Sequence, residues 1–376
     1  MYYALPYEGD TFVLVSMTGM ANEMAEEKNL HSTDKLFYRN QNPDSFEDRV
    51  LGMLYGVAIG DALGMPTEFL TPERIAAWYG RIEGLVSPHS EHPHHKLPLG
   101  SVTDDTDQTL ILAQLIIETQ EVNVHEFAAR LLAWSKTPRV LENEFVGPST
   151  QKSLAALGDG VPLDQIPRSG RSVGAAMRVA PLAISFPDPA QLTEQVVASC
   201  EVSHFTRNAI SGAMAMAYAL GESIQPTANP QTIAKAAQEG AVVGRGYGEW
   251  SWAPPIEQRI EHVLSWVDNC QEDEFLSLMY ELIGVDLYPD QLVPCAIGLT
   301  VFSRGDPMRA MLLAANLGGD TDTLASMVGS ICGGLSGAGS FDKKLLTQVE
   351  KTNEIDLRKI AQDLLMVRRG RYQQHE

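Results

Sequence analysis

The sequence predicts an all-α protein in which one large helical domain follows an N-terminal arm. Apolar residues return at helical spacing along most of the 376-residue chain. Alternating β-branched runs, which are typical of strands, are scarce beyond residue 45. With 44% hydrophobic and 20% charged residues, the chain can bury one large core. We therefore expect an arm over residues 1–45 and a domain over residues 46–376.

The arm differs from the rest of the chain in its aromatic content. Residues 11–15 look extended, and residues 22–29 resemble a short acidic helix. Aromatic side chains in such a segment can anchor an interface at low entropic cost. We interpret the arm as an extension that binds a partner or packs on the domain. Its aromatic residues are Tyr2, Tyr3, Tyr7, Phe12, Phe37 and Tyr38.

The domain is predicted to begin with a buried helix. Ser45-Phe46-Glu47-Asp48 has the form of a capping box, in which a hydroxyl and a carboxylate bond free backbone N–H groups. Glycines then recur every fourth residue, which places them on one helix face. They lower helix propensity but let another backbone come close, so we expect this helix to be central. The glycines are Gly52, Gly56, Gly60 and Gly64.

Further helices are predicted from apolar periodicity and from the Pro and Gly turns between them. The basic segment Arg368-Arg369-Gly370-Arg371 is interpreted as a solvated tail. The predicted helices cover residues 109–118, 124–135, 172–184, 209–220, 230–241, 256–267, 272–283, 307–316, 324–335 and 357–367.

Charge and composition exclude several classes of function. The chain has 28 Lys+Arg and 48 Asp+Glu, a net charge of −20 that repels nucleic-acid phosphates. No secretory signal follows Met1, and no uninterrupted apolar run has the length of a membrane span. The four cysteines are widely spaced, which indicates neither a disulfide framework nor a zinc site. We expect a cytoplasmic protein that binds neither nucleic acid nor a membrane.

Two acidic clusters each stand directly before an apolar helical run. One is Thr103-Asp104-Asp105-Thr106, and the other is Gly318-Gly319-Asp320-Thr321-Asp322-Thr323. Either cluster alone indicates helix capping, because Thr and Asp oxygens accept from free backbone N–H groups. Together they hold more carboxylates than two helix ends can use. Adjacent ionised carboxylates repel each other, so a cation between them is favoured.

The donor atoms indicate the type of cation. Carboxylate and hydroxyl oxygens, without thiolate or imidazole, favour Mg²⁺ or Mn²⁺ over Ca²⁺. About five oxygen donors exceed what one Mg²⁺ usually takes from a protein, because Mg²⁺ retains waters. The sequence therefore predicts two ions that share a bridging carboxylate.

These motifs resemble those of the ADP-ribosylglycohydrolase family. The resemblance runs in the family's order from about residue 49 to about residue 337, and it leaves out the arm. It implies an all-α fold with two Mg²⁺ or Mn²⁺ ions in a cleft. The implied reaction hydrolyses the bond between C1 of the distal ribose of ADP-ribose and a protein side chain or small acceptor. The matching segments are Gly60-Asp61-Ala62-Leu63-Gly64, Glu68, Thr103-Asp104-Asp105, Gly174-Ala175-Ala176-Met177-Arg178 and residues 316–323.

The resemblance assigns roles to the acidic residues. It implies that Asp104, Asp105 and Glu68 take part in catalysis. Glu68 would position or deprotonate the attacking water, or protonate the leaving group. Without the motif, Glu68 could equally be a solvated acid before the turn at Pro72. The implied metal ligands are Thr103, Asp104, Asp105, Asp320, Asp322 and Thr323.

The resemblance also implies substrate contacts. Gly174 and Arg178 match a segment that the family uses around the ribose and diphosphate, with Val173 in place of the usual asparagine. A surface position for Arg178 is the alternative. His204 matches a histidine that faces the ligand in many members, although a helix cap is the bland alternative.

The acceptor stays open at this stage. Arginine-acting members commonly carry aspartate where this chain has Phe145, and that residue would hold the guanidinium. Glu144 is the nearest carboxylate that could replace it, because an ion pair with a guanidinium requires only the right reach.

Two other motifs are interpreted as structural. His89, His92, His94 and His95 lie between prolines, and we expect them in a solvated loop. Residues 244–252 resemble a phosphate-binding loop, but they lack its strand and lysine. Ordinary packing of Tyr247 and Trp250 is favoured over stacking on a base.

Three functions compete. The leading hypothesis is a metal-dependent ADP-ribosyl hydrolase that acts on an ADP-ribosylated protein or small molecule. The second is an immunity protein, in which the arm blocks an ADP-ribosyltransferase toxin alongside hydrolysis or instead of it. The third is a binuclear nucleoside or phosphate hydrolase on the same scaffold.

Overall fold

The computed structural model describes residues 2–7, 11–16 and 45–372. The chain divides into two compact units, Met1–Ser45 and Phe46–Glu376. In the first unit, β1 (Tyr2–Tyr7) pairs antiparallel with β2 (Thr11–Ser16), so that Tyr2 lies opposite Ser16. The extended segment predicted at residues 11–15 is therefore confirmed. The acidic helix predicted at residues 22–29 lies outside the described residues.

The secondary-structure elements of residues 46–372 are all helices, joined by turns and loops, which confirms the predicted fold class. Short 3₁₀ turns span Met65–Thr67, Leu163–Gln165, Val173–Ala175 and Ala338–Ser340, and a π turn spans Met279–Ile283. The α-helices of this range are α1 (Phe46–Gly64), α2 (Pro72–Tyr79), α3 (Asp104–Thr119), α4 (Val124–Ser135), α5 (Pro138–Asn143), α6 (Pro148–Gly158), α7 (Ala180–Ser185), α8 (Pro189–Cys200), α9 (Arg207–Ser223), α10 (Pro230–Gly244), α11 (Ile256–Val267), α12 (Glu272–Leu278), α13 (Pro289–Phe302), α14 (Pro307–Ala315), α15 (Thr321–Ser336), α16 (Lys343–Asn353) and α17 (Leu357–Tyr372).

The centre of the domain is the pair α1 and α15, which pack backbone to backbone. A Cβ atom added at any of the four α1 glycines would collide with the α15 backbone. The glycine spacing therefore has the consequence predicted from the sequence, because a side chain at these positions would separate the helices. Gly52, Gly56, Gly60 and Gly64 face Gly333, Gly329, Ala325 and Thr321 respectively.

The segment Phe46–Thr67 is the one described helix that is long and apolar enough to cross a membrane by length and composition. All of the apolar window in this segment is buried inside the domain. A core helix of a large helical domain has these same properties, and the backbone contact with α15 accounts for its apolar surface.

Two predicted helices are not continuous α-helices in the structure. The helix expected over residues 172–184 is a 3₁₀ turn at Val173–Ala175 followed by α7. Pro181 stands in the first turn of α7, where its missing N–H starts a helix more readily than it continues one. The helix expected over residues 272–283 ends as α12 at Leu278 and continues as a π turn.

The basic C-terminal segment is not a solvated tail, so that prediction is wrong. Arg368 is 7% exposed, and its guanidinium donates to the carbonyl oxygen of Ile184 at 2.8 Å. Arg371 donates to the carbonyl oxygen of Gln120 and lies over the ring of Phe186. These bonds satisfy carbonyl groups at the ends of α7 and α3, which fixes α17 against the domain.

Candidate active site

Asp61 on α1 organises the first acidic cluster. Its buried carboxylate accepts hydrogen bonds from the backbone N–H groups of Thr103 and Thr106, at 2.9 and 3.0 Å. Both threonine hydroxyls also donate to it, at 2.9 Å from Thr103 and 2.5 Å from Thr106. Asp61 thereby serves as the acceptor for the first turn of α3, a task that helix-capping residues usually perform locally. It fixes the backbone that carries Asp104 and Asp105.

The two acidic clusters meet in the fold, as the sequence led us to expect. The Thr103 hydroxyl lies 3.1 Å from Asp322 Oδ2, and the Thr323 hydroxyl donates to Asp105 Oδ2 at 3.2 Å. Each contact spans more than two hundred residues of sequence. The packing of α1 on α15 and the bonds from Asp61 to α3 produce this convergence.

The turn at Gly318 and Gly319 positions the second acidic cluster. Both glycines have positive φ, 86° and 77°, which other residues adopt only with strain. Gly319 accepts from the Phe69 N–H at 2.7 Å and donates to the Leu70 carbonyl oxygen at 2.9 Å. A Cβ at Gly319 would collide with the carbonyl oxygen of Val285. The turn thus ties Asp320 to the segment that carries Glu68.

Burial and mutual repulsion raise the pKa values of these carboxyls. Burial, then the charge of Asp322, raises the pKa of Asp61 to about 7. Burial raises the pKa of Asp320 to about 7, and burial with the charge of Asp320 raises that of Asp322 to about 8. The pKa values of Asp104 and Asp105 also lie well above the usual range, for the same two reasons. The site therefore concentrates negative charge that a cation would stabilise.

The chemistry of this cluster fits a hard divalent cation. Asp105 Oδ1, Asp320 Oδ2 and Asp322 Oδ1 are buried and have no hydrogen-bond partner. Leaving such oxygens unpaired is unfavourable, whereas Mg²⁺ or Mn²⁺ binds them well. Among the described residues, no three acidic, histidine or cysteine side chains surround a common point as a finished coordination shell. The assignment of individual ligands stays a prediction.

Glu68 lies beside this cluster and is held by two histidines. Its Oε2 atom is 3.0 Å from His94 Nε2, and its carbonyl oxygen is 3.1 Å from His92 Nε2. The Glu68 side chain is 12% exposed, so the alternative of a solvated acid is wrong. Burial, then the charges of Asp322 and Asp61, raises the pKa of Glu68 well above its usual range.

The prediction that the histidine segment is a solvated loop is wrong for two of its four members. His92 and His94 are 1% and 7% exposed, whereas His95 is exposed. Burial lowers the pKa of His92 to about 4 and also lowers that of His94. His89 stacks on the ring of Trp78, with centroids 4.1 Å apart. The prolines do not prevent the segment from folding against Glu68.

Phe145 and Glu144, the residues considered for acceptor recognition, lie next to His94. The Phe145 ring is buried, and its centroid lies 5.4 Å from that of His94. Glu144 is exposed, has a positive φ of 54°, and lies close enough to His94 for its charge to raise the histidine's pKa. Phe145 therefore supports a histidine in this chain, and Glu144 stays a predicted acceptor contact.

Arg178 is fully buried, so the alternative of a surface cation is wrong. Its guanidinium donates to Gln108 Oε1 at 2.6 Å, and Gln108 in turn donates to Asp104 Oδ2 at 3.0 Å. A further bond of 3.0 Å reaches the carbonyl oxygen of Ser199. In this arrangement Arg178 orients Asp104 through Gln108, and no guanidinium atom faces solvent.

His204 and Gly174 lie against each other. The ring nitrogens of His204 are 2.8 Å from Ser172 Oγ and 2.7 Å from Ser203 Oγ, and the residue is 1% exposed. A Cβ at Gly174 would lie 3.0 Å from the ring, so glycine makes room for it. His204 holds the segment around Gly174 in place. Contact of either residue with a ligand stays a prediction.

The loop at residues 244–252 differs from its predicted packing. Trp250 and Trp252 are 59% and 74% exposed, and Tyr247 is 41% exposed. Backbone bonds join Glu249 to Phe205 and Arg207, beside His204. The loop thus borders the His204 segment, but its aromatic rings face solvent.

Sequence reasoning missed the roles of Asp61, His92 and His94. Asp61 carried a signal, because it is the one charged residue in the apolar part of α1. The histidines lie within a dozen residues of Thr103, but their contact with Glu68 depends on a turn that the sequence does not reveal.

Comparisons with known proteins identify the family of this chain. The sequence model of the ADP-ribosylglycohydrolase family matches residues 42–374. The chain is 30% identical over 335 residues to the uncharacterized protein YegU of Escherichia coli (strain K12). The aligned region covers 86% of this chain and 98% of that protein. It is 23% identical to the ADP-ribosyl-dinitrogen reductase glycohydrolase of Rhodospirillum rubrum, over 85% of this chain and 97% of the relative.

Two further likenesses extend the comparison. An ADP-ribosylarginine hydrolase of Pseudomonas putida (strain GB-1) is 25% identical over 86% of this chain and 79% of its own length. A solved structure described as an ADP-ribosylglycohydrolase-related protein complex matches with a TM-score of 0.65 and 23% identity, covering 86% of this chain and 99% of that one. The likeness to this solved structure concerns the fold alone. By the family match and the extent of these likenesses, the chain belongs to the ADP-ribosylglycohydrolase family.

Proposed function

We propose that this protein is a metal-dependent hydrolase that removes ADP-ribose from a modified protein side chain or a small acceptor. It cleaves the bond at C1 of the distal ribose. One observation carries the proposal: the Thr103 and Asp320 clusters meet beside Glu68 and leave three buried carboxylate oxygens without a partner. The names of the distant relatives, which act on ADP-ribosylated arginine and dinitrogen reductase, support the substrate class.

The two clusters supply the residues that would hold two Mg²⁺ or Mn²⁺ ions. When bound, the ions would orient the hydroxyls of the distal ribose and make the attacking water more acidic. The protein's own contribution is to fix the donors. Asp61 and the Arg178–Gln108 pair hold the α3 side, and the Gly318-Gly319 turn holds the α15 side. The donors are Thr103, Asp104, Asp105, Asp320, Asp322 and Thr323.

Glu68 performs the proton transfers in this proposal. Its carboxyl is nearly buried and burial raises its pKa, which suits a group that gives a proton as well as takes one. It accepts a proton from the attacking water or gives one to the departing acceptor. Two Gly319 backbone bonds beside Glu68 keep it next to the second acidic cluster.

A substrate panel tests the proposal. Purified protein is incubated with ADP-ribosylated arginine, ADP-ribosylated serine, free nucleosides and phosphoesters, each with Mg²⁺, Mn²⁺ or a chelator. We expect release of ADP-ribose from at least one ADP-ribosylated acceptor, with loss of activity in the chelator. Activity on nucleosides or phosphoesters alone would overturn the proposal in favour of another hydrolase on this fold.

Matched variants assign the activity to the site. Asp105→Asn removes charge from a buried carboxylate with an unpaired oxygen, and we expect it to lower kcat at least about a hundredfold. Asp159→Asn makes the same chemical change on the exposed surface after α6 and should leave kcat unchanged. Equal activity of the two variants would contradict the assigned site.

A further inference from the structure

Two histidines and a backbone turn restrain Glu68 from three directions. His94 meets its side chain at 3.0 Å and His92 meets its carbonyl oxygen at 3.1 Å. The backbone N–H of His94 also donates to His92 Nδ1 at 3.1 Å, so the His92 ring is bonded to the backbone of the residue whose side chain meets Glu68. Both histidines are buried.

The hydrogen bonds define the proton positions on both rings. His92 Nδ1 accepts from a backbone N–H, so its proton is on Nε2, which donates to the Glu68 carbonyl oxygen. His94 Nδ1 is buried without a partner. A proton there would be an unsatisfied donor, so the neutral ring carries its proton on Nε2 and donates it to Glu68 Oε2. The bond therefore stabilises the carboxylate in one orientation.

A stack of two side chains packs against His94. Phe145 packs against the His94 ring, and the Arg139 guanidinium lies 5.0 Å from the centre of the Phe145 ring. Arg139 is itself held by Asp107 Oδ2 at 2.6 Å and by the carbonyl oxygen of Val102. Arg139 also links the stack to α3, which carries Asp104 and Asp105. The side chains that pack against His94 are thus tied to the helix that carries Asp104 and Asp105.

The backbone after Glu68 is restrained as well. Phe69 has a φ of 57°, a conformation that is strained for a bulky residue and that persists only when its surroundings enforce it. Bonds to Gly319 on both sides of Phe69 enforce it here. The Phe69 side chain is 58% exposed, so packing of the ring does not explain the strain. The backbone bonds to Gly319, directly after Glu68 in the chain, account for the strain.

We propose that His94, steadied by His92 and Phe145, is a positioning residue that holds the Glu68 carboxylate preorganised for hydrolysis. This inference rests on the function proposed above, in which Glu68 moves the proton. His94 touches Glu68 and not the reacting atoms, so its effect must pass through Glu68. A glutamate that is free to rotate would lose part of its effective concentration at the water.

Kinetics of paired variants test the inference. His94→Leu keeps the volume but removes the donor, and we expect kcat to fall at least about tenfold with KM little changed. His94→Gln presents an N–H near the position of Nε2 and should restore most of kcat. His95→Ala is the control in the same loop, because His95 is exposed and bonds the His92 carbonyl oxygen but not Glu68.

A double variant separates this inference from the proposed function. In a Glu68→Gln background, His94→Leu should cause no further loss, because its effect passes through Glu68. Full activity of His94→Leu, while Glu68→Gln is impaired, would overturn the inference and leave the proposed function intact. Additive losses would also overturn it. Absence of hydrolysis in the wild type would overturn the proposed function and, with it, the catalytic purpose of His94.

A spectroscopic measurement detects the restraint without reference to activity. In protein labelled with ¹⁵N-histidine, His92 and His94 should both give the shift pattern of a neutral ring protonated at Nε2. Glu68→Leu should shift the His94 signals and leave those of exposed His125 unchanged. Rapid averaging between the two tautomers at His94, insensitive to Glu68→Leu, would contradict the hydrogen bond on which the inference depends.

Discussion

Gly56 on α1 and Gly329 on α15 face each other with no side chain between them. A methyl group on either residue would collide with the carbonyl oxygen of the other. This contact lets the two helices approach through their backbones. It also brings together Asp61, which α1 carries, and Asp322, which α15 carries; the Thr103 hydroxyl lies within hydrogen-bonding distance of both. The contact between Gly56 and Gly329 is therefore part of how the candidate active site is assembled.

Gly56→Ala is expected to destabilise the fold by about 1–3 kcal/mol, as overpacking of a close contact typically does. Alanine has the higher helix propensity, by about 1 kcal/mol, but this gain is smaller than the strain of pushing two backbones apart. Urea unfolding followed by circular dichroism measures the difference. Gly221→Ala on α9 is the matched control, because nothing lies within 4 Å of its added Cβ. A variant at Gly56 as stable as the one at Gly221 would contradict the backbone contact.

Thr106→Val is expected to lower hydrolysis at least about tenfold, because Asp61 loses the shorter of its two hydroxyl bonds and the start of α3 shifts. Valine keeps the shape of threonine, so the loss reports the hydrogen bond. Thr106→Ser keeps the hydroxyl and should retain most of the activity. Initial rates on the best substrate of the panel, with circular dichroism to confirm folding, measure both. Equal activity of the two variants would show that the Asp61 bond does not position α3.

Local patterns allowed the central helix and the acidic clusters to be predicted. Glycine at every fourth residue of a helix lets another backbone approach one face of that helix. Surplus carboxylates before two helices have few roles other than binding a cation. Both features can be recognised within short stretches of the sequence. The roles of Asp61, His92 and Arg178 depend on partners from other elements, so residue type alone did not reveal them.

The helices that the sequence analysis failed to predict mainly begin with proline. Five helices missing from the prediction have proline in their first turn: α2, α5, α6, α8 and α13. Proline was interpreted there as a turn between helices, although its fixed φ and missing N–H also suit a helix start. The choice between these uses depends on whether the following residues find a core to pack on.

Divalent cations are expected to raise the melting temperature of the protein. Ions that bind the assembled acidic site and not the unfolded chain add about 2.7 kcal/mol at a hundredfold excess over the dissociation constant. Differential scanning fluorimetry with Mg²⁺, Mn²⁺ and a chelator measures the shift. The shift should be absent in Asp322→Ala. In the chelator, this variant should melt at or above the wild type, because one of several repelling carboxylates is gone. An unchanged wild-type melting temperature at millimolar cation would contradict a metal site.

His204→Asn is expected to change how stability depends on pH. Burial lowers the pKa of His204 from 6.5 to about 3, so below pH 6.5 the unfolded chain binds a proton that the folded protein does not. The wild type therefore loses stability as the pH falls, and at pH 5 this amounts to about 2 kcal/mol relative to pH 8. Urea unfolding of both proteins at these pH values isolates the contribution, since the buried carboxyls are common to both. Parallel pH profiles would show that His204 titrates normally.

Removal of the arm before Ser45 is expected to leave hydrolysis intact. The candidate site residues lie between Asp61 and Thr323, the second compact unit begins at Phe46, and the family match begins only at residue 42. The truncated protein should match the full chain in kcat/KM and in melting temperature. Loss of activity or unfolding would make the arm part of the catalytic domain. The hypothesis that the arm binds an ADP-ribosyltransferase toxin predicts a separate effect. When such a toxin is titrated into both proteins, its affinity should fall on truncation while hydrolysis persists. Equal affinity for the two proteins would exclude that role.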